Sequence, residues 1–194
     1  MAETAKRKAT YADLEAVHPH LVAEIIYGSL VTHPRPVPRH ARAQSSLSYE
    51  LEGPFNRGRG GPGGWIFLTE PELHFGDDIL VPDIAGWKSE RLTPFPETAY
   101  IETAPDWLCE ILSESTERFD RREKKEIYAR VGVKHLWLLD PRKKIIESYA
   151  LVAGQWLLSR TYSDGDKIDA PPFEAAPFSI SHLWPSDDVK KPSE

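Results

Sequence analysis

The most constraining feature of this sequence is an apolar run, WLCEIL at residues 107–112, that carries one acidic residue, Glu110, near its centre. The run is short and nearly continuous, which is typical of a strand buried on both faces of a sheet. A carboxylate inside such a strand carries a desolvation cost unless it has a partner. Glu110 is therefore a candidate functional residue.

A second acidic residue, Asp83, ends a β-type segment in the sequence VPDIAGW. On neighbouring strands, Asp83 and Glu110 can share a hard cation such as Mg²⁺ and leave coordination positions for water and a phosphate. Such a metal lowers the pKa of bound water and offsets charge on a phosphoryl group under attack. The structural alternative is that these carboxylates pair with Arg118, Arg121 or Arg122.

The clearest helix prediction covers STERFDRREKKEIYARVGV, residues 115–133. Its apolar residues four apart form an amphipathic surface, and Gly132 ends the helix. Asp120 and Lys124 are also four apart, so they share one face. They form either a surface ion pair or part of a site.

The remaining segments alternate between strand and helix patterns. TYADLEAV predicts a short helix with a capping box between Thr10 and Asp13, and LVAEIIYGSLVTH predicts a hairpin that turns at Tyr27-Gly28. HARAQSSLSYELEG has helical composition and ends at Gly53. Further strands are predicted at WIFLTEPELHF, DILVPDIAGW, HLWLLDP, KIIESYAL and QWLLSRTY. This order indicates a mixed α/β or α+β domain around one sheet.

A glycine-rich segment, RGRGGPGG at residues 57–64, predicts a flexible loop. The alternative is a phosphate-binding loop. The segment lacks the Gly-Lys-Ser/Thr ending of a P-loop, so the composition favours the flexible loop.

Composition narrows the class of protein. Hydrophobic residues make up 40% of the 194 residues, which is enough for a core and argues against global disorder. No apolar run approaches the roughly 20 residues of a membrane helix, and the N-terminus does not resemble a secretory signal. The one cysteine, Cys109, excludes an internal disulfide and a multi-cysteine zinc site. We therefore expect a cytoplasmic protein without a membrane partner.

The formal net charge of −6 argues against nucleic-acid binding driven by bulk attraction. The basic residues are nevertheless clustered, so a local basic surface is compatible with an acidic chain. The clusters are Arg35, Arg39 and Arg42; Arg57 and Arg59; and Arg118, Arg121, Arg122, Lys124 and Lys125.

Three stretches together resemble a known family: VPDIAGW, then DWLCEILSEST, then DRREKKEIYARVGVKHLWLLDP. They are similar to the Uma-type restriction-endonuclease family, formerly a domain of unknown function, within the PD-(D/E)XK nuclease superfamily. The resemblance spans residues 9–185 and is most specific between Glu110 and Pro141. It implies a restriction-endonuclease-like core, in which helices flank a central mixed sheet, with an N-terminal helix and hairpin and extra C-terminal strands. It also implies a divalent-metal site and often a homodimer.

The resemblance assigns the first acid of the motif to Asp83 and the second to Glu110, as the two metal ligands. The lysine of the parent motif should follow two residues after the second acid, but Leu112 stands there. The family supplies this lysine from the next helix, which points to Lys124 as the third catalytic residue. Lys125 fits less well, because it lies off the face of Asp120.

Four further residues match family positions or the face of the expected site. Asp120 would hold Lys124 in place. Glu24 is either a third acid or a partner of the metal-binding residues. His40 either contacts phosphate or takes a proton, or is an ordinary histidine at a helix start, and Gln44 shares its helix face.

The resemblance therefore favours a Mg²⁺- or Mn²⁺-dependent endonuclease that hydrolyses DNA phosphodiesters by in-line attack of an activated water. The alternatives are a nuclease-like module that binds nucleic acid or a protein without cutting, and a structural or regulatory protein. We expect a flexible N-terminus at residues 1–9, one domain at residues 10–185 and a polar tail at residues 186–194. Trp156 and Trp184 are expected to be exposed, which would fit a homodimer.

Overall fold

The structure is a computed structural model that describes residues 7–185, so the expectations for residues 1–6 and for the tail at 186–194 lie outside the described residues. Helices and strands follow the predicted mixed order. The helices are α1 (Tyr11–Glu15), α2 (Pro38–Leu51), α3 (Glu117–Phe119) and α4 (Lys125–Arg130). The strands are β1 (Leu21–Ile26), β2 (Ser29–Pro34), β3 (Trp65–Thr69), β4 (Leu73–Phe75), β5 (Asp78–Leu80), β6 (Ile84–Lys88), β7 (Trp107–Ile111), β8 (His135–Asp140), β9 (Ile145–Val152), β10 (Gln155–Tyr162), β11 (Lys167–Ile168) and β12 (Phe178–Ser179).

The central sheet has six strands in the order β10-β9-β8-β7-β6-β3. β7 and β8 are parallel and the other neighbours are antiparallel, so the sheet is mixed as predicted. β7 lies between β6 and β8 and is buried along its whole length. The parallel pair needs a crossover connection, and the segment containing α3 and α4 supplies it.

The two faces of the central sheet carry separate apolar layers. Side chains alternate between faces along a strand, and in β7 this sends Trp107, Cys109 and Ile111 into one layer with α2. Leu108 and Leu112 enter the other layer, where they pack with the α4 side of the fold. Glu110 has the parity of Leu108 and Leu112, so it faces the α4 side.

The expectation of a single sheet is wrong, because β11 and β12 form a separate antiparallel pair and four strands form a second sheet in the order β2-β1-β5-β4. The chain passes from this sheet into the central sheet at residues 81–83, between β5 and β6. Pro82 has no N–H to donate to a strand ladder, so strand pairing is interrupted there. Asp83 therefore lies where the two sheets meet.

The N-terminal hairpin forms as predicted. Thr10 caps α1 in a capping box with Asp13, and β1 pairs with β2 around the turn at Tyr27-Gly28. Tyr27 has a positive φ of 50°, which is unusual for a bulky residue. Its N–H donates to Asp78 at 2.6 Å and so fixes the turn to β5.

Both longer helices depart from the predicted boundaries. α2 begins with Pro38 in its first turn, where a missing N–H costs nothing. Helical structure does not end at Gly53, because a π-helical turn at Glu52–Asn56 follows α2 directly. The predicted helix at 115–133 is also interrupted, by a π-helical turn at Asp120–Lys124 between α3 and α4. Gly132, with φ 83°, follows the last turn as predicted.

The C-terminal strands confirm the late hairpin, which pairs β9 with β10 around Ala153-Gly154. The expectation that Trp184 is exposed is wrong, because it is buried in the α2-side layer. Trp156 is partly buried, and its indole N–H donates to the Lys125 carbonyl at 2.8 Å. These two residues therefore give no support to a dimer surface.

Among residues 7–185, no helix combines the length and apolar character required to cross a bilayer.

Gly86 is a position where side-chain volume is excluded. It lies in β6 between Phe67 on β3 and Trp107 on β7. The rings of Phe67 and Trp107 meet edge to face with centroids 6.1 Å apart. A Cβ at Gly86 would come within 2.9 Å of the Phe67 ring and 3.2 Å of the Trp107 ring.

We expect Gly86→Ala to lower the free energy of unfolding by about 1–3 kcal/mol, because overpacking a dense core forces neighbouring rings to move. Chemical denaturation measures this change. Gly53→Ala is the matched control, since a Cβ there meets no atom within 4 Å. A Gly86→Ala protein as stable as wild type would show that the aromatic layer yields without cost.

Candidate functional site

A narrow cavity of about 80 Å³ lies where the end of β7, the link between the two sheets and the start of α2 meet. Polar and charged side chains from these three parts, from β2 and its link to α2, and from the crossover line it. They include His33, Arg35, His40, Asp83, Glu110, Ser113, Ser115, Thr116, Asp120 and Lys124. Five of the seven residues singled out from the sequence therefore line one cavity.

Asp83 is brought beside Glu110 by strand register. β6 and β7 pair Ile84 with Cys109, and one further step along the antiparallel register sets Asp83 opposite Glu110. Asp83 Oδ2 accepts the N–H of Ile111 at 2.6 Å. Asp83, which immediately precedes β6, is therefore held against β7 beside Glu110.

Two residues of α2 also hold Asp83. His40 Nε2 lies 2.6 Å from Asp83 Oδ1, and the Gln44 side-chain amide donates to the Asp83 carbonyl at 2.8 Å. His40 and Gln44 are one helical turn apart and so share the face that meets this loop. His40 is thus a contact of Asp83 and differs from an ordinary helix-start histidine.

Glu110 is almost fully buried, and its contacts within residues 7–185 concentrate on one oxygen. Oε1 accepts from the Lys124 ammonium at 2.8 Å and from the Tyr128 hydroxyl at 2.5 Å. Burial raises the pKa of Glu110 well above its usual range; Lys124 opposes this shift, and the nearby carboxylates of Asp120, Asp83 and Glu24 add to it.

Lys124 is the centre of the cluster, with 3% of its side chain exposed. Its Nζ lies 2.8 Å from Glu110, 3.0 Å from Glu24 and 3.4 Å from Asp120. Burial alone would lower the pKa of Lys124, but the surrounding carboxylates, Glu110 first, raise it well above its usual range. Lys124 is therefore a buried, charged ammonium.

Glu24 reaches this cluster from β1. Its Oε1 also accepts the N–H of Val81 at 2.8 Å, and its Oε2 lies 3.5 Å from His33 Nε2. Burial would raise the pKa of Glu24, but Lys124, His33 and the Val81 N–H outweigh burial and lower it to about 2. Glu24 is therefore the firmly ionised partner of Lys124.

Asp120 carries the opposite shift. Burial raises its pKa to about 6; the Lys124 ammonium and a hydrogen bond from Thr116 oppose the rise, and the charges of Glu24 and Asp83 add to it. Three carboxylates thus surround one buried ammonium, with Asp83 close by. The cluster has a surplus of negative charge that either protons or a cation can neutralise.

The donor set fits a small hard cation. Within residues 7–185, no group of three or more His, Cys, Asp or Glu side chains is arranged to hold a metal. Mg²⁺ keeps several waters and is commonly bound through one or two carboxylates, which Asp83 and Glu110 can supply. The surplus negative charge around Lys124 favours such a cation.

Lys125 and the arginines of the crossover, which the sequence offered as alternatives, do not contact the two acids. Lys125 lies away from the cluster, with its Nζ 3.4 Å above the ring of Tyr149. Neither Asp83 nor Glu110 pairs with an arginine among the described residues; Arg121 instead binds Glu117 and Glu147. The structural reading of these carboxylates as arginine partners is therefore wrong.

Two members of the cluster were missed from the sequence, Tyr128 and His33. Tyr128 follows Lys124 by four residues, so helical spacing would have placed both on one face. His33 is a diagonal cross-strand neighbour of Glu24, because the hairpin pairs Glu24 with Val31 and Val22 with His33. A hairpin that turns at Tyr27-Gly28 has this register, so the predicted turn was enough to place His33 near Glu24.

We expect Asp120→Asn to stabilise the metal-free protein at pH 7 by about 2 kcal/mol, because it removes a surplus buried charge. The folded-state pKa of Asp120 is raised to about 6. Its stabilising contribution is therefore complete below the unfolded pKa and is lost as the pH rises through about 6. Denaturation curves with a chelator between pH 4.5 and 7.5 measure this.

Asp164→Asn is the control, since Asp164 is exposed in the turn between β10 and β11 and does not line the cavity. The stability of the Asp164→Asn protein should depend on pH in the same way as that of wild type. If Asp120→Asn instead destabilises the protein at pH 7, then the ion pair between Asp120 and Lys124 outweighs the charge surplus.

Comparison with known proteins supports the same fold. No curated protein matches the sequence. Among solved structures, a crystal structure described as a putative nuclease belonging to DUF820, from Anabaena variabilis ATCC 29413, has a TM-score of 0.69. It is 23% identical, and the match covers 88% of this chain and 93% of that one. At this identity the likeness shows the fold alone.

A family model gives the more specific match. The model of the Uma2 family, described as "Putative restriction endonuclease", matches residues 9–181. That span contains β1, α2, the link at residues 81–83, β7 and the crossover, and so it includes each residue of the cluster around Lys124. The chain therefore belongs to the Uma2 family.

Proposed function

We propose that this protein is a Mg²⁺- or Mn²⁺-dependent endonuclease that hydrolyses phosphodiester bonds in DNA. The observation that carries the proposal is the buried ammonium of Lys124, 2.8 Å from Glu110, in a cavity that Asp83 also lines. The description of the family as restriction endonucleases supports nuclease chemistry in general. The choice of DNA rests on that description, and the proposed metal rests on the charge and the donors of the site.

Asp83 and Glu110 are the residues that would hold the cation. When bound, Mg²⁺ would activate a water and offset negative charge on the phosphate. His40 and the Ile111 N–H orient the two oxygens of Asp83. Tyr128 orients Glu110 through its hydroxyl. These hydrogen bonds keep both carboxylates in place, which is the role of partners around metal ligands in general.

Lys124 is proposed to stabilise the negative charge that develops on the phosphate. A preorganised cation in a site shielded from water is effective in this role. The parent motif would place a lysine at position 112, but Leu112 is 1% exposed and packs in the α4-side layer. Lys124 instead reaches Glu110 from the π-helical turn of the crossover.

Exposed arginines near the cavity support nucleic acid as the substrate. Most arginines of residues 7–185 are paired with an acid; Arg121, for example, binds Glu147. Arg39 and Arg42 in α2, and Arg118 and Arg122 in the crossover, are exposed and form no ion pair with a described residue. Both elements also supply cavity residues, so these guanidinium groups are suited to phosphate contacts.

The central test is cleavage of supercoiled plasmid with Mg²⁺ or Mn²⁺ by wild type, Asp83→Asn, Glu110→Gln and Lys124→Met. We expect each variant to lower the cleavage rate on the order of 10²-fold or more, because each removes a metal ligand or the charge that stabilises the transition state. Agarose-gel kinetics measure the rate.

Glu114→Gln is the matched control for Glu110→Gln, because Glu114 is an exposed residue in the loop after β7. It should cut like wild type. Wild-type protein that leaves DNA and RNA intact with both metals would contradict the proposed function, as would a Glu110→Gln variant that retains full activity.

DNA binding should depend on the unpaired arginines. In the Glu110→Gln background, we expect Arg118→Ala with Arg122→Ala to weaken duplex binding several-fold and to reduce the slope of its salt dependence by about one for each phosphate that is no longer bound. Fluorescence anisotropy across a salt series measures both. Arg160→Ala is the control, since Arg160 lies in β10 and pairs with Asp166. Equal effects of the two changes would contradict a local binding surface.

A second candidate function is a module that binds nucleic acid without cutting it. Leu112 in the lysine position of the parent motif favours it, together with the net charge of −6. Such a module would bind DNA in the anisotropy experiment, lose affinity with the arginine changes and show no metal-dependent cleavage.

A further inference from the structure

Glu24 contacts two parts of the candidate site, although it does not itself line the cavity. Its Oε1 contacts the Lys124 ammonium at 3.0 Å and accepts the Val81 N–H at 2.8 Å. Val81 lies two residues before Asp83 in the link between the sheets. One carboxylate therefore fixes both the lysine and the segment that carries the first acid.

Glu24 is poorly suited to bind the metal itself. Oε1 is used by Lys124 and Val81, and Oε2 lies 3.5 Å from His33. The cavity wall on this side is formed by neighbours of Glu24, namely Val22, His33 and Val81. Glu24 does not itself line the cavity that Asp83 and Glu110 line, so its carboxylate is badly placed to bind a cation there.

We infer that Glu24 is a positioning residue, which holds Lys124 through an ion pair that remains when Glu110 and Asp83 bind the cation. This inference rests on the proposed function. His33 in turn positions Glu24, because its Nε2 lies 3.5 Å from Oε2 of Glu24. The sequence alone left two roles for Glu24, a third acid or a partner of the metal-binding residues, and the geometry points to the second.

The physical reason is the cost of a buried ammonium. Lys124 is 3% exposed, and an ammonium at that depth requires compensating charge. Glu110 is shared between Lys124, Tyr128 and the proposed cation, so its contact with Lys124 weakens when the cation binds. Glu24 has no such competing task and therefore keeps the lysine charged and oriented.

The first test needs no cleavage. A buried, hydrogen-bonded lysine ammonium exchanges slowly with water, so Lys124 Nζ should give a protected ¹H–¹⁵N resonance, assigned by its loss in Lys124→Met. We expect Glu24→Gln to remove or broaden this resonance, although glutamine can keep one oxygen for the Val81 N–H. Mg²⁺ affinity, measured by calorimetry, should stay within about threefold of wild type, while Glu110→Gln should lose Mg²⁺ binding.

The second test is a double-mutant cycle on turnover with Glu24→Gln and Lys124→Met. Because Glu24 acts through Lys124, we expect Glu24→Gln to lower kcat about tenfold or more with little change in KM. The double variant should match Lys124→Met within about twofold, since coupled residues are not additive. Glu15→Gln, at an exposed position in α1, is the acid-to-amide control.

Three results would overturn the inference: a loss of Mg²⁺ affinity in Glu24→Gln as large as in Glu110→Gln, a Lys124 resonance that Glu24→Gln leaves unchanged, or no protected resonance in wild type. If Glu24→Gln does not fold, Glu24→Asp keeps the charge but withdraws it by one methylene, and the same readouts apply. Wild-type protein that does not cut would contradict the proposed function, while the resonance would still decide the role of Glu24.

Discussion

The rest of the site depends on the ion pairs that stabilise the buried ammonium of Lys124. A buried ammonium is stable only where charge compensates its lost hydration, and Glu24, Glu110 and Asp120 all lie within 3.4 Å of it. These residues come from the N-terminal hairpin, the central strand and the crossover. The same ion cluster therefore joins three parts of the chain.

The two sheets explain why acids distant in sequence come together. β1 belongs to the four-stranded sheet and β7 to the six-stranded sheet, and the chain crosses between them at residues 81–83. Asp83 ends that crossing and binds the backbone of β7, while Glu24 binds Val81 at its start. The site thus lies at the joint between the sheets, where polar side chains replace the interrupted strand ladder.

The crossover compensates for the departure at position 112. The π-helical turn begins at Asp120 and ends at Lys124, and both of these side chains are buried in the cluster. Such turns are frequent at functional sites because they change the helical phase locally. A leucine can therefore complete the apolar layer at position 112 while the lysine arrives from the helix. The buried ammonium and the apolar packing at position 112 are thus supplied by two different elements.

The sequence by itself predicted the order of the helices and strands and named most of the residues that the candidate site brings together. The apolar run around Glu110 fixed the buried strand, Tyr27-Gly28 fixed the hairpin, and the family resemblance selected Asp83, Glu110, Lys124 and Glu24, because these signals are local in the chain. Tertiary structure decided what local pattern does not encode. It divided the strands into a six-stranded sheet, a four-stranded sheet and a two-stranded pair. It also buried Trp184 and gave Glu110 a tyrosine and Glu24 a histidine as partners. Each of these depends on which segments pack together in the folded chain, because tertiary contacts decide which side chains are buried and which ion pairs form.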